Sequence, residues 1–159
     1  MARQLWFLRH GEAEPHGVRP DSERRLTERG EAQAVAAGRA LAALGCSFVH
    51  LFTSPKLRAR DTARLAAPSL GLEPSEHDAL ASGFDRDDAS ELLHGVGADE
   101  RLLVVGHEPD FSQVVHDLTG ARIDFKKGGV AGVRMKGAAD GELVVLLRPR
   151  ELTAIGGAP

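Results

Sequence analysis

The sequence predicts an α/β fold, a three-layer sandwich in which helices cover both faces of a mainly parallel sheet with an antiparallel edge. Residues 5–8 and 102–105 form continuous apolar runs. Such runs suit strands buried on both faces, as in parallel sheets, because a half-exposed strand would alternate. Segments with apolar residues at helical spacing separate the runs, as in folds where helices connect parallel strands. With 159 residues and no evident linker or repeat, we predict one domain over residues 1–159.

The first half of the chain is predicted to run strand, helix, strand, helix. A strand over residues 3–8 is followed by a polar loop and by a helix that Thr27 caps and Gly45 ends. A second strand over residues 48–53 leads into Ser54-Pro55. This pair is typical of a helix cap followed by proline at the first helical position.

The second half begins with a short helix within residues 85–96, a buried strand over residues 101–106, and a helix from Pro109 to Gly120. The tail from Pro149 has little periodicity and is predicted to be loose. Three apolar segments separated by turns containing glycine are predicted to be strands, at residues 123–125, 130–135 and 143–147. These strands would supply the antiparallel edge of the sheet.

Composition and charge restrict the function classes. Lysine and arginine total 20 and aspartate and glutamate 23, giving a net charge of −3, which argues against nucleic acid as a partner. The single cysteine, Cys46, excludes an internal disulfide and a cysteine zinc cluster, and it fits a reducing compartment. The chain reaches Arg9 too early for a signal peptide, and no apolar run could span a bilayer. We therefore expect a cytoplasmic protein with no membrane partner.

Cationic side chains follow the ends of the predicted strands. Arg9 and His10 come directly after the first strand, and His107 follows the third. Arg58 lies in the first turn of the helix after the second strand, where side chains lean back toward the helix N-terminus. Ligands in such folds bind at the carboxyl ends of the strands. We therefore predict that these four side chains converge, with Gly11 letting the backbone approach a ligand closely.

This constellation fits a phosphoryl group. Two guanidinium groups can bind its oxygens in forked geometry, while one imidazole attacks phosphorus and the other donates to an equatorial oxygen. The residues alone do not choose between the two histidines. Position favours His10, because the Gly11 carbonyl can hold one ring nitrogen as N–H and leave the other with its electron pair.

Four segments along the chain carry a family resemblance: Leu8-Arg9-His10-Gly11-Glu12-Ala13-Glu14, Leu26-Thr27-Glu28-Arg29-Gly30, Ser54-Pro55-Lys56-Leu57-Arg58-Ala59 and Val105-Gly106-His107-Glu108-Pro109. In this order they resemble the motifs of the histidine phosphatase superfamily, which has the phosphoglycerate-mutase-like fold. The small size of the chain makes it most similar to the SixA-type phosphohistidine phosphatases.

The resemblance implies a role for each residue of the constellation. His10 would be the nucleophile that becomes phosphohistidine, Arg9 and Arg58 would clamp the phosphoryl group, and His107 would complete the pocket. Arg9, Gly11, Arg58 and His107 are the predicted substrate-binding residues. The expected reaction needs no metal and no cofactor. Its expected substrate is a phosphorylated protein, with phosphohistidine favoured, or a small phosphorylated molecule.

The sequence departs from the larger family at residues 79–84, where many members carry a glutamate that protonates an alkoxide leaving group. Here no acid occurs before Asp85. The imidazole of a phosphohistidine leaves more readily than an alkoxide, so general acid catalysis, typically worth about 10²–10⁴-fold, matters less. We predict a preference of that size for phosphoramidates over alkyl phosphates. Glu12, Glu108 and the aspartates after Phe84 stay open as proton donors.

Three other interpretations use the same residues. A small-molecule phosphomonoesterase would share the whole constellation. A non-catalytic module could hold a phosphorylated ligand, although two arginines would suffice for binding without the histidines. A metal-activated hydrolase would use the alternating histidines and glutamates of residues 10–16, but Arg9 beside them would repel a cation.

Two further pairs of cations have open roles. Lys126 and Lys127 either favour an acidic substrate or form a solvated turn. In the polar loop, one of Arg24 and Arg25 contacts substrate or both are surface charge. The sequence leaves the identity of the substrate and the oligomeric state undetermined.

Overall fold

Six strands form one sheet in this computed structural model, which describes residues 2–157. The strands are β1 (Gln4–Arg9), β2 (His50–Thr53), β3 (Pro74–Glu76), β4 (Arg101–Gly106), β5 (Val130–Met135) and β6 (Gly141–Leu147). Their order in the sheet is β3-β2-β4-β1-β5-β6. The first four run parallel, whereas β5 pairs antiparallel with both β1 and β6. The predicted α/β sheet with an antiparallel edge is confirmed.

Five helices cover the two faces of the sheet: α1 (Glu28–Ala43), α2 (Leu57–Leu70), α3 (Arg86–Leu93), α4 (Asp110–Thr119) and α5 (Pro149–Gly156). Alternate residues of β1 point to opposite faces. Phe7 meets Phe111 of α4 edge-on, with ring centroids 5.0 Å apart. Trp6 meets Phe48 at 5.9 Å in the cluster that α1, α2 and α5 cover. The predicted three layers are confirmed.

Three neighbouring parallel strands end at the same edge of the sheet. Arg9 is paired in register with Gly106, and Thr53 is paired with Val105. The residues that follow β1, β2 and β4 therefore emerge side by side. This register positions the candidate site.

The tail from Pro149 is ordered, and the prediction of a loose end is wrong. It forms α5, which packs against α1 and whose Leu152 is fully buried in the core on that face of the sheet. The backbone N–H and the guanidinium group of Arg148 both donate hydrogen bonds to the Glu151 carboxylate at the start of the helix. Because α5 buries one large apolar side chain, its eight residues carry too little periodicity for the sequence to indicate a helix.

Two local predictions in the middle of the chain are also wrong. Residues 123–125 form no strand; Phe125 is buried in the core, and its carbonyl oxygen accepts a hydrogen bond from the Arg9 side chain and not from a neighbouring strand. The second helix begins at Leu57, not at Pro55. Ser54 instead accepts a hydrogen bond from the Lys56 N–H at 3.1 Å, a serine turn between strand and helix.

In the part of the chain that the structure describes, no helix is both long and apolar enough to cross a membrane. Met1, Ala158 and Pro159 lie outside the described residues. The prediction of one domain over residues 1–159 therefore stays a prediction.

Candidate active site

The two arginines and two histidines predicted from the sequence line one cleft of about 250 Å³ at the carboxyl edge of the sheet. The ring centroids of His10 and His107 lie 5.3 Å apart, with the planes inclined by 55°. Both imidazoles and Arg58 are buried, and Arg9 is half-buried. We call this space the cleft.

His10 is held in one tautomer by its neighbour in the chain. Its Nδ1 lies 2.7 Å from the carbonyl oxygen of Gly11, which can only accept a hydrogen bond, so Nδ1 carries the hydrogen and Nε2 keeps its electron pair. The predicted contact between this ring and the Gly11 carbonyl is confirmed.

Gly11 orients His10 through its backbone and does not line the cleft. A Cβ at this position would lie 2.5 Å from the carbonyl oxygen of Gly30 in α1. The need for glycine therefore comes from a helix backbone, and not from close approach of a ligand. The Gly11 N–H donates to Thr62 Oγ1 at 3.1 Å, and the Thr62 hydroxyl donates to the carbonyl oxygen of Arg58 at 2.7 Å. These bonds join the end of β1 to α2.

Each arginine keeps unused donors. Arg9 Nη1 donates to the carbonyl oxygen of Phe125 at 2.7 Å. Arg58 Nη1 donates to the carbonyl oxygen of Asp21 at 2.7 Å, and its Nη2 lies 3.3 Å from the carboxylate of the same residue. The Nε of both arginines is buried without a hydrogen-bond partner, which is costly unless a ligand or a shift of the side chain satisfies it.

His107 is positioned by the turn that follows β2. Its Nε2 lies 2.7 Å from Ser54 Oγ, and Ser54 is fully buried. The Lys56 N–H donates to the same oxygen. His107 Nδ1 is buried and has no partner. Ser54 was predicted to be a helix cap and was not among the predicted site residues. Its place directly after a strand end, like that of His10 and His107, was the signal in the sequence.

Both site histidines are neutral at neutral pH. The pKa of His10 is lowered to about 3, chiefly by burial, with the charges of Arg58, Arg9 and Arg24 acting in the same direction against the opposing hydrogen bond to Gly11. Burial also lowers the pKa of His107 to about 3, with His10, Arg58 and Lys56 contributing in the same direction. An unprotonated imidazole is the form that can act as a nucleophile.

The polar loop places Arg24 in the lining of the cleft and Asp21 against the cleft residue Arg58. The Asp21 carboxylate contacts Arg24 Nε at 3.1 Å, Arg58 Nη2 at 3.3 Å and Lys56 Nζ at 3.4 Å. Partial burial raises the pKa of Asp21, but Arg58, Arg24 and Lys56 outweigh it and lower the pKa to about 2. Arg24 is buried, lines the cleft and donates to the Glu14 carbonyl oxygen at 2.7 Å, whereas Arg25 is exposed.

Two carboxylates line the cleft, and both already accept hydrogen bonds. Glu108 accepts from the N–H and the hydroxyl of Ser112, both at 2.7 Å. Glu14 accepts from the Arg25 N–H and from Arg19, which together lower its pKa.

The other acids left open as proton donors lie outside the lining of the cleft. Glu12 accepts from the Thr27 hydroxyl at 3.0 Å. Asp85 and Asp88 exchange hydrogen bonds at the start of α3. Within residues 2–157, no group of three or more histidine, cysteine, aspartate or glutamate side chains is arranged to hold a metal ion.

Comparison with known proteins identifies the family. The sequence profile of the histidine phosphatase superfamily (branch 1) matches residues 5–82. An uncharacterized protein of Picosynechococcus sp. strain PCC 7002 is 36% identical over 94% of this chain and 98% of its own length. The chain belongs to the histidine phosphatase superfamily. Three of the four segments that carried the resemblance in the sequence meet at the cleft, all except Leu26-Thr27-Glu28-Arg29-Gly30.

Solved structures of several phosphatases share the fold. The protein histidine phosphatase SixA complexed with tungstate superimposes with a TM-score of 0.83 at 24% identity, over 94% of this chain and 99% of SixA. A protein from Nakamurella multipartitia described as a candidate phosphohistidine phosphatase SixA gives 0.77 at 27% identity, over 94% and 97%. A mycobacterial glucosyl-3-phosphoglycerate phosphatase gives 0.75 at 18% identity, over 91% and 98%.

Proposed function

We propose that this protein is a metal-independent phosphatase that acts through a phosphorylated His10, with protein phosphohistidine as its substrate. The observation that carries the proposal is the hydrogen bond from His10 Nδ1 to the Gly11 carbonyl oxygen. It fixes the ring so that Nε2 holds an electron pair inside a cleft lined by Arg9, Arg58 and His107. A neutral nucleophile among cations suits attack on a phosphoryl group.

In the first step, the electron pair of His10 Nε2 forms a bond to phosphorus. The bond from phosphorus to the substrate nitrogen breaks, its electron pair stays on the departing imidazole, and that imidazole takes a proton from solvent. The negative charge on the equatorial oxygens is stabilised by Arg9 and Arg58, whose guanidinium groups can donate in forked geometry.

His107 supplies a further donor in this mechanism. When Ser54 donates its hydroxyl hydrogen to His107 Nε2, the hydrogen of the neutral ring lies on Nδ1, the nitrogen without a partner in the protein. An N–H at that atom can donate to an equatorial oxygen of the phosphoryl group. Ser54 is a positioning residue in this arrangement because it selects the tautomer.

In the second step, water attacks phosphorus from the side that the leaving group vacated. The bond to His10 Nε2 breaks and returns its electron pair to the ring. The proton of the attacking water goes to the phosphate product or to solvent, and the neutral His10 is ready for another cycle. The same arginines stabilise the charge in both steps.

The choice of phosphohistidine over an alkyl phosphate rests on the carboxylates. Glu14 has a lowered pKa and Glu108 is engaged by Ser112, so neither is a ready acid for an alkoxide. An imidazole leaving group needs such an acid less. The similarity to a protein histidine phosphatase supports the same class of substrate.

Turnover of two matched peptides tests the proposal, one carrying phosphohistidine and one carrying phosphoserine. We expect the phosphohistidine peptide to be hydrolysed about 10²–10⁴-fold faster, with no loss of rate in excess chelator. His10→Ala should lower kcat by about 10⁴-fold or more, while the control His94→Ala, at an exposed histidine, should keep the wild-type rate.

Each alternative gives a different result in the same assays. Equal rates on the two peptides would favour a phosphomonoesterase, in line with the similarity to a glucosyl-3-phosphoglycerate phosphatase. Loss of turnover in chelator would indicate metal-activated water. Tight binding without release of phosphate would indicate a non-catalytic module.

A further inference from the structure

A second cation-lined depression adjoins the cleft. We call it the groove; it has a volume of about 420 Å³ and is lined by Arg29, Lys126, Lys127, Arg148 and Arg150, together with Arg9. Arg9 and Lys127 line both the groove and the cleft, so the two spaces are adjacent. The phosphoryl chemistry described above uses the cleft and leaves the groove without a role.

The groove concentrates positive charge on a chain whose net charge is −3. Six cations line it against one carboxylate, that of Glu12. Carboxylates at its margin pair with some of these cations: Asp124 with Lys126 at 2.8 Å, and Glu151 with both Arg148 and Arg150 at 2.9 and 3.8 Å. Lys127 makes no ion pair within residues 2–157, and the groove keeps an excess of positive charge.

Apart from Arg9 at the end of β1, these cations come from three separate parts of the chain. Arg29 lies in the first turn of α1, the two lysines lie in the turn before β5, and Arg148 and Arg150 lie at the start of α5. The side chains of Arg29, Lys126, Arg148 and Arg150 are more than half exposed, and that of Arg150 is 83% exposed. Charges spread along an open surface suit several separate carboxylates better than one compact anion. The ion pairs with Asp124 and Glu151 are themselves contacts with carboxylates.

We propose that the groove binds acidic residues next to the phosphorylated residue of a protein substrate. The proposal rests on the proposed function, because it takes the phosphoryl group in the cleft and the carboxylates in the groove to belong to one molecule. Arg9 and Lys127 stand at the junction between the two. The carboxylates of an acidic segment would replace those at the margin as ion-pair partners of the groove cations. They would also neutralise the excess positive charge of the groove.

Binding of two phosphohistidine peptides tests the groove, one flanked by aspartate and glutamate and one by asparagine and glutamine. Affinity is measured in a His10→Ala background so that turnover does not intervene. Replacing two exposed cations, Lys126→Gln with Arg150→Gln, should weaken binding of the acidic peptide about 5-fold and leave the neutral peptide unchanged. High salt should abolish the difference between the peptides.

The matched control is Arg64→Gln with Lys136→Gln. These two cations are similarly exposed and each makes an ion pair, with Asp61 at 3.5 Å and with Glu142 at 3.9 Å, but neither lines the groove. The control should leave the affinity for both peptides unchanged. Phosphoramidate, which fills only the cleft, should be hydrolysed by the groove variant with wild-type His10 at the wild-type rate.

Equal losses for the acidic and neutral peptides, or an equal loss in the control, would overturn the proposal. So would a weaker affinity for inorganic tripolyphosphate with an unchanged affinity for the acidic peptide, since the groove would then serve a compact polyphosphate. If the wild-type protein hydrolyses neither phosphohistidine nor phosphoramidate, the proposed function fails. The peptide affinities still decide the role of the groove in that case.

Discussion

The cleft and the groove are both lined by positively charged side chains, but those of the cleft are more buried and more firmly held than those of the groove. In the cleft, Arg58 is buried and fixed by its place in α2 and by the hydrogen bond that its Nη1 donates to the backbone carbonyl oxygen of Asp21. In the groove, Arg150 is exposed and only loosely paired with Glu151. Fixed, desolvated donors stabilise a developing charge without reorganising, whereas exposed cations attract weakly and are screened by salt. Burial therefore separates residues suited to chemistry from residues suited to recognition.

Arg58→Lys gives the largest expected effect. Lysine keeps the charge but loses the fork that binds two oxygens. We expect kcat/KM for phosphoramidate to fall about 10²–10³-fold, comparable to loss of one donor to a developing oxyanion. Steady-state kinetics measure this, with Arg64→Lys on the same helix as control. A loss no larger than that in the control would show that burial and fixed geometry at Arg58 do not matter.

Leu152→Ala tests the packing of α5, the helix at whose start two of the groove cations lie. Leu152 is fully buried and holds α5, which carries two of the groove cations, against the rest of the fold. We expect a loss of about 2–4 kcal/mol in the free energy of unfolding, measured in urea. Ile155→Ala, at an exposed position of the same helix, should cost much less. Equal costs would contradict the packing of α5.

Acidification tests the two neutral histidines of the cleft. Their pKa of about 3 in the folded state lies below the ordinary value of 6.5, so the unfolded chain binds more protons between these limits. Stability therefore falls as pH decreases from 6.5, by up to about 1.4 kcal/mol per pH unit for each histidine. Urea unfolding at several pH values should give His10→Asn a shallower slope than wild type.

The control for that slope is His94→Asn, at an exposed histidine that should leave the pH dependence of stability unchanged. Equal slopes for wild type and His10→Asn would contradict the lowered pKa of the buried ring.

Asp21→Asn gives the smallest expected effect and tests how firmly the cleft cations are held. The Asp21 carboxylate, about half exposed, competes with an incoming phosphoryl group for Arg58. Neutralising it should tighten inhibition by phosphate or tungstate about 2- to 5-fold, the scale of a partly exposed ion pair. Asp61→Asn, which removes an ion pair elsewhere on α2, serves as control. Weaker inhibition would show instead that the Asp21 carboxylate is needed to position Arg58.

Sequence patterns predicted the parts of the molecule that depend on neighbours in the chain. The apolar runs of β1 and β4 end directly at His10 and at His107, so their place at the edge of a parallel sheet followed from the runs alone. The contact between His10 and the Gly11 carbonyl joins adjacent residues and was predictable for the same reason.

Contacts across long stretches of chain were not predictable in this way. Asp21 reaches Arg58 from 37 positions away through a loop, and no periodicity marks that contact. Gly11 packs so closely against the Gly30 carbonyl oxygen of α1 that a side chain would not fit, and the strand pattern could not reveal this contact. The helix α5 depends on one buried leucine, so its order comes from tertiary packing.

Mass analysis of the protein quenched in alkali during turnover of a phosphohistidine peptide tests the central claim most directly. The account predicts one phosphate on His10, present in wild type and in His94→Ala and absent in His10→Ala. Phosphate on His107, or steady product formation without phosphate on either histidine, would contradict it.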